Sequence, residues 1–443
     1  MVRPLDDVPG GTPVNPEQRA AVEAKGEVFV SAGAGTGKTS VLVERFVQAV
    51  CEEGLDVDSV LVITYTRKAA GELRARIRAA LHARGRHDLA RRLDGAWIST
   101  IHGFCSRLLR AHPFAVGIDP GFHELDDEHG AVIRGESFER ALASFCATHD
   151  AERLRLLATY GAQGLRRMLT GVYETLRSAG RDLTLELGAQ SSIADRLADL
   201  HDAARDLAAV ATTDKQLAAT TAALALTTTN PERLLDLTSL RASGDRAARY
   251  EAARKRLEQA AFDDLAVRDK ELLQELLDLF AAEYAAAKQR ESALDFEDLQ
   301  LVARDLLRDD ATVRETEQLR FRAIMVDEFQ DTNRLQCDLI DLLRGGELER
   351  DVFFVGDEFQ SIYGFRHADV AVFRERRAAA AQRLPLTRNY RSRPEVLAAV
   401  NYLFEQEFGD GYQPLAASGE FTDPVFGHPV ELLVSDKRAY AEA

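Results

Sequence analysis

The sequence predicts an α/β fold, a parallel sheet interrupted by a mainly helical insertion, and three observations predict it. Short apolar runs alternate with helical patterns up to about residue 114 and again from about 291, the order that builds a parallel sheet with its ligand edge at the C-terminal ends of the strands. Between them, residues 115–290 read as Ala/Leu-rich helices with Arg, Asp and Glu surfaces, far too long for a connection that normally takes a few residues. One apolar run, from Val28, breaks into Ala32-Gly33-Ala34-Gly35-Thr36-Gly37-Lys38-Thr39 and then a helical pattern. The expected segments are a lead-in (1–14), a first sheet part (15–114), the insertion (115–290), a second sheet part (291–380) and the start of another unit (381–443).

The 443 residues leave room for about three domains. No apolar run approaches the roughly 18 residues of a membrane span, and the opening MVRPLDDVPGG lacks the layout of a secretion signal. A cytoplasmic protein with no membrane partner is expected. Cys51, Cys105, Cys146 and Cys337 are far apart, with no CxxC pairing and no His at ligand spacing, which argues against disulfides and against a zinc or iron–sulfur site. The net charge of −16 speaks against nucleic acid as a partner, but its distribution is uneven. Between Arg67 and Arg92, Lys or Arg stands at 67, 68, 74, 76, 78, 84, 86, 91 and 92, against Glu72 and Asp88. A solvated helix face and a polyanion patch both fit that run.

Taken in order, Asn15-Pro16-Glu17-Gln18 has the form of a helix start, with Asn15 as cap and Pro16 in the first turn. The Gln18 amide donates and accepts at once, which matches the edge of adenine. In the glycine-rich stretch, Gly33, Gly35 and Gly37 let successive backbone N–H groups turn onto one anion while the following helix points its N-terminus there. Lys38 then neutralises β/γ-phosphates and the Thr39 hydroxyl ligates Mg²⁺. Ala32 stands where the generic pattern has glycine. Val43, Phe46, Val47 and Val50 mark the next helix, and Gly54 its stop.

Ser59 to Thr66 is a second strand, followed by a helix through Leu73, Ile77 and Leu81; Trp97 to Thr100 is a third, running into His102. The Thr64/Thr66 and Thr100/His102 ends therefore belong on the rim that carries the phosphate loop, and the basic run starts there at Arg67. After the insertion, Phe321 to Val326 delivers Asp327 and Glu328 at its tip, a metal-shell carboxylate and one to orient or deprotonate water. Val352 to Val355 opens toward Gln360, able to sense a γ-phosphate, and toward Tyr363, Phe365 and Arg366, flat faces beside a cation of the kind that stack unpaired bases. Core packing explains two aromatics at that spacing equally well. Leu384 to Thr387 leads to Tyr390 and Arg391 and a helix from Pro394.

Eight stretches now stand in one order: NPEQ (15–18), AGAGTGKT (32–39), TYTRKAAGEL (64–73), STIHGFC (99–105), DFEDL (295–299), VDEFQDTN (326–333), VGDEFQSIYGFR (355–366) and NYRS (389–392). In them the sequence resembles the superfamily 1 UvrD/Rep-like DNA helicases, whose phosphate loop takes the AGAGTGKT form with Ala32. STIHGFC together with IDPGFHELDDE (118–128) is similar to the RecB/AddA-like branch. The resemblance implies a RecA-like P-loop NTPase sheet (1A), a 1B-like insertion and, from 381, the start of a second RecA-like lobe (2A). It implies ATP and Mg²⁺ as cofactors, with Gln18 and Tyr390 on adenine, the loop from Ala32 through Ala34 and Thr36 to Thr39 on phosphate, and Lys38, Asp327, Glu328, Gln360 and Arg391 in catalysis, Arg391 coming from the second lobe. Thr64, Tyr65, Thr66, Arg67, Thr100, His102, Tyr363, Phe365 and Arg366 would line a single-strand groove.

The implied activity is ATP-driven 3′→5′ movement on single-stranded or partly duplex DNA in repair or recombination, and the implied partner is a nuclease or second helicase subunit. The sequence stops at Ala443, shortly after NYRS, so the expectation is an N-terminal fragment of low turnover. Two other readings stay open on the residues alone: an ATP- and DNA-binding module that does not hydrolyse, and a P-loop enzyme acting on a small molecule. Stacking and phosphate contacts also tolerate RNA.

Overall fold

The computed structural model describes residues 14–147, 150–188, 191–241, 244–345, 350–361, 369–419, 421 and 430–431. The expected lead-in lies outside them apart from Val14, and so do Tyr363, Phe365 and Arg366. By its contacts the chain divides into two units, one of residues 1–125, 177–180 and 292–443 and the other of residues 126–176 and 181–291.

The first unit is built on six parallel strands: β1 (Glu27–Ala32), β2 (Val60–Thr64), β3 (Trp97–Thr100), β4 (Ala323–Val326), β5 (Asp351–Gly356) and β6 (Gln382–Leu386), in spatial order β3-β2-β4-β5-β1-β6. β2 and β4 are buried along their whole length. That is why they read as unbroken apolar runs, since a parallel sheet is covered on both faces. Alternation within each strand splits the core in two. Val28, Val30, Val60, Val62, Met325, Phe353 and Val355 pack with the helices Lys38–Cys51 and Arg67–Ala83. Phe29, Leu61, Ile63, Ile324, Val326 and Phe354 pack on the other face with Phe104, Leu299, Leu339 and Phe373. At its centre Phe29 meets Phe373 edge-on at 4.9 Å and Phe329 at 5.8 Å, and Phe329 lies 4.7 Å from Phe354. This aromatic knot stands beneath the tip that carries Asp327 and Glu328.

The motif order implies that residue 381 opens a second lobe. The structure instead seats β6 in this same sheet, parallel to β1 from Val28↔Gln382 to Ala32↔Leu386. The free edge of β1 otherwise leaves a row of backbone donors and acceptors without ladder partners, and β6 takes them up. Through residue 419 the described chain clusters with the first unit.

The helical unit is smaller than the expected 115–290. Residues 113–125 stay with the sheet unit, where His123–Glu124 pairs with Ala293–Leu294. Its longest element, Asp245–Arg290, runs 46 residues, about 70 Å at 1.5 Å per residue. Phe138, Tyr173, Phe280 and Tyr284 form one core, and Leu197, Leu200, Tyr250 and Leu257 belong to another. No helix among the described residues is long and apolar enough to cross a membrane.

Because Phe29 holds both the Phe329 and Phe373 rings, Phe29→Ala should cost about 3–5 kcal/mol of unfolding free energy. Urea denaturation of the sheet unit, followed by circular dichroism, checks it.

Candidate nucleotide and nucleic-acid site

The phosphate loop leaves β1 and closes on itself, the Thr36 hydroxyl donating to the Gly33 carbonyl at 2.8 Å. Gly37 caps the next helix with φ +88°, and a Cβ there would stand 2.5 Å from the Gln18 amide nitrogen. Only glycine fits both the left-handed backbone and that approach. Gln18 is buried; its Nε2 donates to the Thr36 carbonyl at 2.9 Å, and its Oε1 accepts from the Asn15 backbone at 3.1 Å in a reciprocal capping box. One amide hydrogen and one lone pair remain for an adenine edge.

Lys38 Nζ lies 2.9 Å from Glu328 Oε2. β1 and β4 are separated by β5, about 10 Å apart at ordinary strand spacing, so the lysine arm bridges two strand tips. Asp327 follows β4, its N–H donating to the Ile63 carbonyl at 2.8 Å, and Glu328 comes next with φ +50°. A non-glycine residue in that region is strained. Thr39, Asp327, Glu328 and Gln360 line one cavity of about 400 Å³ together with Thr64, Tyr65 and Thr66. Burial, and then the Glu328 charge, push the Asp327 carboxyl up to about 7, with Lys38 opposing.

Gln330 and Asp331, which carry no role on the sequence alone, line the same cavity. The Gln330 amide donates to Glu328 Oε2 at 2.9 Å and its carbonyl accepts from the Asp357 N–H at 2.9 Å. Asp357 in turn accepts from Gln360 Nε2 at 2.6 Å. A chain of contacts therefore runs from Lys38 to Gln360. Burial and Glu328 push Asp331 up to about 6, again against Lys38. The cavity also holds the Thr64 Oγ1 and Asp331 Oδ1 atoms, buried and without partners among the described residues.

The NYRS segment sits directly on the loop. Tyr390 N donates to the Gly35 carbonyl at 2.9 Å, and the Asn389 amide donates to Ala34 O. Asn389 Oδ1 accepts from the Arg391 and Ser392 backbones, and the Tyr390 hydroxyl accepts from Asn15 at 2.7 Å. Gly35 has φ +72°, and a Cβ there would meet Arg391 Cβ at 2.7 Å. Arg391, implied to arrive from a second lobe, thus reaches the loop from the same unit. The sequence alone gives no role to Asn389, or to Glu17, whose carboxylate takes the Thr387 N–H and hydroxyl.

The expected nucleic-acid residues divide. Thr66 and Thr100 spend their hydroxyl oxygens as helix caps, accepting from Ala69 and Gly103. Arg67 pairs with Glu124 at 2.7 Å, and both line a second cavity with Thr100. His102 is half-buried against Phe296, its Nε2 accepting from the Gln300 amide at 3.1 Å. Much of the basic run is neutralised: Arg67, Lys68, Arg78, Arg84, Arg86 and Arg92 pair with Glu124, Glu72, Asp94, Glu44, Asp88 and Asp56.

Burial lowers the His102 pKa from 6.5 to about 4, with Arg67 adding to the shift and Glu124 opposing it. The unfolded chain then binds more protons between those values, so stability tied to His102 is complete above about pH 6.5 and is lost as pH falls toward about 4. The stability difference between the native protein and His102→Gln should shrink over that window and stay flat above it, as urea titrations at stepped pH will read.

A family model described as the UvrD/REP helicase N-terminal domain matches residues 14–380. The chain is also similar to bacterial proteins each named as a subunit of an ATP-dependent helicase/nuclease. The one from Pelotomaculum thermopropionicum is 30% identical over 88% of this chain and 38% of its own length. That from Staphylococcus carnosus is 28% identical over 88% and 39%, and that from Alkaliphilus oremlandii 29% over 95% and 42%. The chain spans about two fifths of the length of these curated relatives. With residues 14–380 matching that domain and the phosphate loop and paired acids brought to one site, the chain belongs to the UvrD/REP helicase family.

Proposed function

We propose that this chain is the nucleotide-hydrolysing part of an ATP-dependent DNA motor of the UvrD/RecB type. The motor steps 3′→5′ on single-stranded or partly duplex DNA in repair or recombination, beside a nuclease or second helicase subunit. The observation that carries the reading is the 2.9 Å contact between Lys38 and Glu328, a carboxylate that lines one cavity with Thr39, Asp327 and Gln360. A P-loop lysine and a water-activating carboxylate belong to one triphosphate site. The relatives' names and the order of the eight motifs support the choice of DNA and of a motor.

In the state described, one Glu328 oxygen is held by both the Lys38 ammonium and the Gln330 amide. Triphosphate competes for Lys38. Glu328, released from the ammonium but still oriented by Gln330, is then free to accept a proton from water. Gln18 holds the loop through Thr36 while presenting its remaining donor and acceptor to adenine, and Tyr390 stands beside it through Asn15.

Thr39 and Asp327 fit Mg²⁺. They offer hydroxyl and carboxylate oxygens, the donors this ion takes in company with substrate phosphates, and the half-buried Asp327 carboxyl gains a compensating charge. The ion supplies charge neutralisation on the phosphates. Occupancy of the site also reaches Gln360 through Gln330 and Asp357, toward the loop in which Tyr363, Phe365 and Arg366 are expected to meet bases.

Lys38→Ala should abolish binding of a fluorescent ATP analogue, whereas Glu328→Gln should retain it and lower DNA-stimulated hydrolysis by about 10²–10⁴-fold. Unchanged nucleotide affinity in Lys38→Ala defeats the reading. Gln18→Ala should bring ATP and GTP affinities close together, which competition titration reads.

A further inference from the structure

The second cavity, about 550 Å³, is walled by the Arg67–Ala83 helix, edge strand β3 and the Ile101–Ala111 helix. Four arginines line it, Arg67, Arg74, Arg107 and Arg110, with a single carboxylate, Glu124. Glu124 is taken up by Arg67 at 2.7 Å. Arg74, Arg107 and Arg110 make no ion pair among the described residues; their partners are uncharged. Arg74 donates to the Ile98 carbonyl at 2.8 Å and keeps a buried Nε with no partner among the described residues. Arg107 lies 3.6 Å over the Trp97 ring and donates to Ala96 O, while Arg110 lies 4.2 Å over Phe122 and donates to the Pro120 and Phe122 carbonyls. Burial lowers the Arg107 pKa, and Arg320 and Arg74 lower it further, against Asp58 and Glu317. The pocket therefore concentrates positive charge on side chains already immobilised by stacking and carbonyl bonds, so an anion binding there orders little that is not ordered already.

We propose that this pocket binds phosphodiesters and holds the backbone of a single nucleic-acid strand as it passes from the strand tips onto the edge of the sheet. The inference rests on the motor reading above, because the choice of a polynucleotide comes from it. Two features favour a backbone over a base or a nucleotide. Both rings beside the arginines, Trp97 and Phe122, are buried and each has a guanidinium over one face, so no exposed face remains for stacking. Arg67 and Thr100 place the pocket's upper wall at the tips of β2 and β3, continuous with the rim that carries Thr64 and Thr66. Contacts of this kind position a strand without reading its sequence. Glu124 acts as a built-in competitor that occupies Arg67 until phosphate replaces it.

Binding of labelled oligothymidylate to the full chain, measured by anisotropy across a salt series, tests the assignment. Single-strand contacts each contribute about 0.7 to the slope of log affinity against log salt. Arg74→Gln/Arg107→Gln should lower that slope by about 1.4 and weaken binding at least tenfold at low salt. Glu124→Gln, which keeps the size of this half-buried side chain and removes its charge, should move the other way and tighten binding severalfold. Thermal midpoints report whether each variant folds, and Glu124→Gln carries the test if the double variant does not. No oligothymidylate binding by the native protein defeats the motor reading itself. Native-like slope in the double variant, or unchanged affinity in Glu124→Gln, defeats the pocket alone. Inorganic phosphate that binds the native protein as tightly as the oligonucleotide, with the same loss in the double variant, reassigns the pocket to a free anion and overturns the strand.

Discussion

The bridge between Lys38 and Glu328 is the constraint on which the rest of the structure depends. A lysine on the helix after β1 meets a carboxylate after β4 across the intervening β5, and it does so because the three strands are in register and the loop before the lysine is held in its turn. β5 pairs with β1 from Glu27↔Val352 and with β4 from Ala323↔Asp351, which brings three strand tips level. The Phe29, Phe329, Phe354 and Phe373 rings fill the space below those tips, so core packing and site geometry are set by the same side chains. Charge follows from the geometry. The half-buried Asp327 and buried Asp331 carboxyls are both raised by desolvation and by Glu328, and Lys38 opposes both shifts. Two carboxyls poised near neutrality around one ammonium make a site that gains from added positive charge and from phosphate together.

The parts legible in the sequence are those that local chemistry writes. Continuous apolar runs gave β2 and β4 because both faces of those strands are covered. The glycine pattern gave the phosphate loop, and Asp327 and Glu328 stood out as acids at the end of an apolar strand. Residues whose importance is purely long-range were not legible. Asn389 binds a carbonyl 355 positions away and Glu17 a backbone amide 370 positions away, and nothing near either in the chain announces the partner. Gln330 was visible inside DEFQD, but its reach to Asp357 depends on β4 and β5 being neighbours. Motif order places β6 in another lobe because it says nothing of which sheet edge is free.

The basic run between Arg67 and Arg92 shows how composition misleads in both directions. Net charge of −16 argues against a polyanion partner and a local surplus argues for one, yet six of the nine cations in the run are matched by carboxylates. The charge that stays without an acid partner around the β3 edge, among the described residues, comes from Arg74 within the run and from Arg107 and Arg110 beyond it. What decides electrostatic character here is where acids fail to follow bases. That is a property of packing, with Trp97 and Phe122 holding two of the guanidinium groups in place.

The grip of Asn389 and Tyr390 on Ala34 and Gly35 makes the phosphate loop one end of a mechanical linkage. The helix Pro394–Phe408 begins two residues after Ser392, and beyond Arg393 no flexible spacer separates it from the loop it follows. A force applied to that helix would be delivered to the two carbonyls at the crown of the loop with almost no slack in between.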